Sequence, residues 1–391
     1  MPITEKTPAD MSAPSWLEAY AQFRQFLNLN PQIKIDRDTV LIPGEVKEEF
    51  YRFFDAVRIA LIKEKCPTAI ERGLELSWHY KALRTGLLKE TGFDAVETSS
   101  DLTWFLEDPV DGLRRFLYDP LFKLLAGQIE AAEFAQIALG KINSAFANLF
   151  REGYQRWVAL AILRRLRPDI SYRFPAKDSL QDVLMGEGHE NPGQHADEVP
   201  PAQEIRGLSF EQHPVISFIV PRIAVHSRRT GAFVAMHSEF KEAEWRANRY
   251  AEMEWLEIAA LKEEYKLFKI RPDLIKKAWY ELDPILPDLA IYTADEVNNL
   301  SLVADFKRML RPEINIAIME SADWSEKVKP EDLKRRLLTL HPRQGAFIVC
   351  QQEIPAATIA TFGNEEGLKL ISVGYDENAL EAIASLISPP S

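Results

Sequence analysis

The hydrophobic period of this chain changes once, and the change dictates a fold built in two styles. Up to about position 170, apolar residues recur every three to four positions, the signature of amphipathic helices. After position 206 they come in short continuous runs broken by Pro, Gly, Asn and Asp, as strands do. Between them, residues 176–206 contain Gly-Glu-Gly-His-Glu-Asn-Pro-Gly and Glu-Val-Pro-Pro-Ala-Gln-Glu, polar and nearly aperiodic. Such a stretch cannot bury enough apolar surface to offset its ordering entropy, so it reads as a disordered linker and domain boundary.

The division that follows is a flexible tail over 1–13, an all-helical domain over 14–175, the linker, and an α/β domain over 207–391. Ser15 and Glu18 make a capping box, followed by Trp16, Tyr20, Phe23 and Leu27 on one helical face. A second helix follows Gly44 with Phe50, Phe53, Val57 and Leu61 inward, and further helices are predicted over 68–90, 109–126 and 128–167. Gly140 and Gly153 leave open whether the last is one helix or two. In the second half, Pro214–His226 and Ala232–Phe240 read as strands around Arg228-Arg229-Thr230-Gly231, and helices are predicted over 241–268 and 272–282. Ile314–Glu320, a helix from Pro330, Gly345–Cys350, Leu368–Val373 and a closing helix over Glu377–Ile387 complete an α+β, multidomain chain with a mixed sheet.

Composition narrows the classes. At 391 residues the chain is long enough for two or three cores, and 46% hydrophobic with 27% charged content is ordinary for a globular protein. A net charge of −12 argues against a bulk nucleic-acid coat, although an acidic enzyme can keep a local basic track. Cys66 and Cys350 are the only cysteines, which excludes a disulfide framework or a Cys-based zinc site. No basic-then-apolar leader and no membrane-length apolar run is present, so the expected setting is cytoplasmic, with no membrane partner.

The chemistry concentrates around Leu286-Pro-Asp-Leu-Ala-Ile-Tyr-Thr293 and Leu300-Ser-Leu-Val-Ala-Asp-Phe-Lys307. Both read as strands, and Ala294–Asn299 reads as the turn between them. If Thr293 faces Leu300, Asp288 lies opposite Asp305. Facing carboxylates repel, and a divalent cation, a bound proton or a nearby Lys would offset the repulsion. Side chains alternate along a strand, so Asp305 and Lys307 share a face that Phe306 does not. Two carboxylates and an ammonium on one face can hold a metal and position water. The same residues also suit a plain turn at Pro287-Asp288 and an edge-strand ion pair between Asp305 and Lys307.

Pro287-Asp288 followed by Asp305-Phe306-Lys307 resembles the PD-(D/E)xK nuclease superfamily, the restriction-endonuclease-like phosphodiesterases, over about residues 250–350. The resemblance implies Mg or Mn held by Asp288, Asp305 and the Phe306 carbonyl, with Lys307 as the catalytic ammonium. Some members add a Glu from the preceding helix, for which Glu257 is the candidate. That family's core runs helix, three strands, helix, strand. Taking Ile314–Glu320 as the third strand instead makes Asp305 the first ligand and Glu320 the second. Ala322 then stands where Lys is expected, leaving a weakened or inactive site.

Arg164, Arg165 and Arg167 belong to a basic run that also includes Arg151, Arg156, Arg173 and Lys177. They suit either a phosphate-gripping, nucleic-acid-binding track or a helix C-terminus whose cations complement the dipole. His226 and His237 come close if their strands pair, yet two histidines alone make a poor metal site. The preferred expectation is a metal-dependent, nuclease-like hydrolase of nucleic-acid phosphodiesters, active or degenerate, whose helical domain contacts substrate or a protein partner. The alternative is a non-enzymatic scaffold within a larger assembly.

Overall fold

The computed structural model describes residues 15–37, 39–174, 201–210, 221, 223–237, 288–300, 312–326, 328–338 and 342–388. They fall into two compact units, one of residues 1–81 and 100–153 and one of 82–99 and 154–391.

The first unit is helical. Helix α1 (Trp16–Leu29) starts with the capping box of Ser15 and Glu18 and buries Trp16, Ala19, Phe23 and Phe26. A short β1 (Lys34–Ile35) pairs antiparallel with β2 (Val40–Leu41) and leads into α2 (Gly44–Lys65). Phe23 meets Phe50 edge-on at 5.2 Å and Phe26 meets Phe53 at 4.9 Å, so the aromatic stripes of α1 and α2 close on each other as core. Helix α3 (Pro67–Thr91) crosses from this unit into the other, where β3 (Ala95–Glu97) follows it. The chain then re-enters the first unit through α4 (Ser100–Glu107), α5 (Pro109–Arg114) and α6 (Tyr118–Leu125). A Cβ on Gly112 would lie 2.5 Å from the Phe105 backbone, so glycine lets α4 and α5 approach this closely.

Helix α7 (Ala131–Leu166) is one continuous helix through both Gly140 and Gly153. At Gly153 the missing side chain makes room for Leu76, which would meet a Cβ at 2.8 Å. Every residue from Trp157 to Leu163 is buried, and a helix apolar on all sides must be covered on all sides. The compact units divide at residue 153, whereas the sequence pattern places a boundary at 175. The end of α7 and the strand after it, β4 (Pro168–Arg173), belong with the sheet unit. So does β5 (Gln203–Ile205), which lies inside the stretch read as linker; 1–13 and 176–200 lie outside the described residues.

Between α7 and β4 the chain turns at Arg167, whose φ of +51° makes it the one non-glycine residue in the left-handed region among the described residues. Its amide donates to the Arg164 carbonyl at 3.1 Å, closing the helix end. Left-handed backbone costs an L-residue about 1–2 kcal/mol, of which glycine's extra entropy returns roughly half. Arg167→Gly is therefore expected to stabilise the protein by about 0.5–1 kcal/mol in urea unfolding. A lower midpoint would show that the Arg side chain outweighs its backbone strain.

The remaining strands are β6 (Gly207–Ser209), paired parallel with β3, then β7 (Ile223–Ser227), β8 (Phe233–His237), β9 (Leu289–Ala294), β10 (Ile314–Met319), β11 (Ala346–Cys350) and β12 (Leu368–Ser372). The described residues form an eight-stranded mixed sheet in the order β12-β11-β10-β9-β8-β7-β4-β5. From β10 to β12 the pairing is parallel, and elsewhere in this sheet it is antiparallel. The crossovers carry α8 (Pro330–Leu338) and α9 (Ala356–Phe362), and α10 (Glu381–Ala384) follows β12. Ala317, Ile348 and Cys350 pack beneath Leu333 and Leu337 of α8, with Trp324 edge-on to Phe362 at 4.8 Å. Strands covered on both faces are apolar throughout, and every residue of β9 and β11 is buried.

This is the α+β architecture expected, helices mostly in the N-terminal half and a large mixed sheet after it. The hairpin drawn from sequence is not formed as expected. Thr293 pairs with Val234 of β8, and Leu300 closes a 3-10 turn, Val297–Leu300, instead of opening a strand. The other edge of β9 is taken by β10, with Leu289 opposite Ile316 and Ile291 opposite Ile314. Asp and Asn signals at 294–299 mark a turn correctly, but they do not say which later strand returns beside the first.

Candidate acidic strand-end site

Asp288 immediately precedes β9, and Glu320 immediately follows β10. Because these neighbouring strands run antiparallel, the start of one and the end of the other share one end of the sheet. That end is also where the parallel strands β10, β11 and β12 finish, the usual position for ligands on open sheets. The antiparallel pairing of β9 with β10 thus places two of the acids singled out from sequence at the same end of the sheet, with Asp288 next to the Leu289–Ile316 pair and Glu320 four residues beyond Ile316.

The Asp288 carboxylate is held from two directions. Its Oδ2 accepts the backbone N–H of Ile318 in β10 at 2.6 Å, and its Oδ1 accepts from Gln155 Nε2 of α7 at 2.7 Å. Charge-assisted bonds of this kind fix the group's orientation. Gln155 is a participant that sequence reasoning missed; it lies 133 residues from Asp288, with no local signal linking them. Nearby, Tyr154 donates its hydroxyl to the Gly374 carbonyl at 2.9 Å, and burial pushes its ionisation well above the usual tyrosine range. Gln351 Nε2 donates to the Tyr375 hydroxyl at 2.9 Å, tying the loops after β11 and β12. Burial likewise raises the Cys350 thiol to about 11, so it serves as core and not as a nucleophile.

Asp305, Phe306, Lys307 and Glu257 lie outside the described residues. Among the described residues, no group of three or more His, Cys, Asp or Glu is arranged to hold a metal. His226 and His237 sit at opposite ends of the β7–β8 pair, because His226 faces Phe233 while Ile223 faces Met236. The two-histidine contact considered from sequence is not made.

Of the two environments the basic run suits, an open track and a helix C-terminus, the described contacts match the second. Arg164 donates through Nε and Nη2 to Glu90 and through Nη1 to Glu377 at 3.0 Å. Arg165 donates to Asn378 at 2.7 Å, and Arg229 holds Glu381 at 2.5 Å. These residues and Arg167 line a polar cleft of about 850 Å³ in which carboxylates already face the guanidinium groups. The hydrogen bond from Arg164 holds Glu90 below the ordinary carboxylate range, and that from Arg229 does the same for Glu381. Depressed carboxylates contribute stability above their unfolded pKa and lose it as pH falls through the folded one. A helix C-terminus with complementary cations describes Arg164 and Arg165 as they stand here.

No protein family, curated protein or solved structure matches this chain. The site therefore rests on its own geometry. Among the described residues no helix is long and apolar enough to cross a membrane.

Proposed function

We propose that the β8–β12 sheet is a nuclease-like, metal-dependent phosphodiesterase platform of the PD-(D/E)xK kind, with Asp288 and Glu320 as its acidic pair. The observation that carries this reading is the antiparallel β9–β10 pairing, which puts the acid leading the second strand and the acid closing the third at one end of the sheet. Among the described residues, strands β8, β9 and β10, helix α8 and strand β11 also follow the order three strands, helix, strand that the resemblance calls for. Two carboxylates are a sufficient protein share for Mg²⁺, which commonly keeps several waters and takes its remaining oxygens from substrate phosphate. In that role the metal would stabilise the developing oxygen charge as water attacks a phosphodiester.

Ala322 stands two residues after Glu320, where the family places Lys, so this pairing supplies no ammonium of its own. Slow or absent hydrolysis with retained metal binding is the consequence. Asp305, the Phe306 carbonyl and Lys307 remain the other candidate set, and Lys307 is the ammonium that would restore turnover.

Melting the protein against Mn²⁺ and Mg²⁺ tests the reading. A real site stabilises the wild type by mass action, about 2.7 kcal/mol at a hundred times Kd, and Asp288→Asn and Glu320→Gln lose that shift. Plasmid or RNA cleavage, if detectable in Mn²⁺, disappears in Glu320→Gln. A wild type indifferent to both metals sinks the proposal. One observation would then favour the scaffold reading: both oxygens of Asp288 already tie α7 to β10.

A further inference from the structure

A second polar cluster lies at the opposite end of the sheet, beside the first residues of β4 and the last of β7. The pairing of β4 with β7 slips between Pro168 and Ile170: Pro168 faces Ser227, Ile170 faces His226, and Asp169 is the extra residue. Such a bulge turns one side chain out of the pleat and is frequent beside functional sites. It follows directly on the left-handed Arg167. The chain thus spends backbone strain and a ladder pair on the placement of one carboxylate.

That carboxylate orients two side chains of different kinds. Asp169 Oδ1 takes His226 Nδ1 at 2.8 Å, and Oδ2 takes Arg228 Nε at 3.2 Å. The Phe233 ring, 5.3 Å away at 62°, walls the imidazole on one side, so the ring has little freedom to turn. Burial opposes the charge on Asp169, yet hydrogen bonds from His226 and Arg228 outweigh it and hold the group below the ordinary aspartate range. No partner for His226 Nε2 or for the Arg228 Nη groups is found among the described residues, and the Arg228 side chain is 70% exposed.

We propose that His226, Asp169 and Arg228 form a binding site for a phosphate monoester group. A monoester near neutral pH mixes P–O⁻ and P–OH oxygens, because its second ionisation lies near pH 6. Arg228 donates to P–O⁻ through its outer fork, the geometry guanidinium favours for phosphate. His226 Nε2 accepts from P–OH or, as imidazolium, donates to P–O⁻, so it serves either form. Asp169 does not touch the ligand. It is the positioning residue that keeps Nδ1 occupied and Nε2 outward. This site is separate from Asp288 and Glu320 and takes a terminal phosphate, not the diester proposed there.

The test is a titration of the full chain, labelled with ¹⁵N-histidine, followed by the imidazole resonances at constant ionic strength. Inorganic phosphate and glycerol 3-phosphate are the ligands, sulfate is the control, and His226→Gln assigns the signal. The His226 Nε2 resonance is expected to move saturably with both phosphates, and sulfate, which lacks an acidic O–H at this pH, to bind more weakly. Arg228→Gln should weaken binding about tenfold, the scale of one charge-assisted hydrogen bond. Asp169→Asn should lose the fixed tautomer, with an unchanged histidine pattern elsewhere showing that the fold is intact. A resonance that stays still, or one that moves equally in Arg228→Gln, overturns the site. Because the metal titration reads Asp288 and Glu320, the two proposals stand or fall separately.

Discussion

Replacing Asp55 by Ala is expected to lower the stability of the N-terminal helical unit by about 3–5 kcal/mol, the loss usual when a buried charge is stripped of its partner. The charge in question is Arg58, only 7% exposed. Its guanidinium donates to Asp55 and, at 3.0 Å, to the Arg114 carbonyl, and lies 4.7 Å over the Phe54 ring. Burial lowers the pKa of Arg58 and hydrogen bonding to Asp55 opposes it, so the carboxylate is what keeps the cation tolerable inside. Asp55 also holds Arg114 at 2.7 Å. Without it, Arg58 has lost its carboxylate partner beside an aromatic wall, while Arg114 keeps Asp111 at 3.1 Å. Urea unfolding monitored by tryptophan fluorescence would show the shift. The double variant Asp55→Ala/Arg58→Met should recover much of the loss, since an apolar chain needs no counter-charge. If the single variant unfolds like wild type, water must already solvate Arg58.

The second large effect is expected at Gly345, which opens β11. Its φ of +86° lies in the left-handed region, and a Cβ there would sit 2.5 Å from the carbonyl oxygen of Gly367. That oxygen accepts the first ladder bond of β11, from Ala346 N at 2.8 Å, and the Gly345 carbonyl accepts from Asn315 N of β10. A methyl group would therefore push against backbone that the parallel sheet needs in place. Left-handed strain of about 1–2 kcal/mol and overpacking of about 1–3 kcal/mol add to an expected loss of roughly 2–5 kcal/mol for Gly345→Ala. Gly231, in the β7–β8 turn at φ +70°, has nothing within 4 Å of its Cβ position. Gly231→Asn is the control, because Asn tolerates this backbone and meets no neighbour. Equal unfolding midpoints for the two variants would show that the close contact at Gly345 relaxes at little cost.

Much of the fold is legible from local chemistry. The capping box at Ser15 and Glu18, the aromatic stripes of α1 and α2, and the Pro-started α8 depend on residues a few positions apart, where helical period and capping act. The apolar runs that become β10, β11 and β12 are equally visible, since a doubly covered strand has no polar face to hide. Pairing is another matter. The turn after β9 could be recognised, but not that β10 would be the strand returning beside β9. Register depends on which apolar faces find cover, and no short window records that.

The acidic site divides in the same way. Asp288 and Glu320 could be named as candidate ligands from residue type and position alone. Their placement at one sheet end, and the help of Gln155 from a helix 133 residues earlier, come from tertiary packing. The basic run shows the converse. Its cations suggest an open track, and only the fold brings Glu90, Glu377 and Glu381 to Arg164, Arg165 and Arg229. By itself the sequence determined the helix-rich first half, the strand-rich second half and the pool of chemically capable side chains. The tertiary structure decided which of them meet. Charges exert their effect over a few ångströms of space, while chain order constrains only near neighbours.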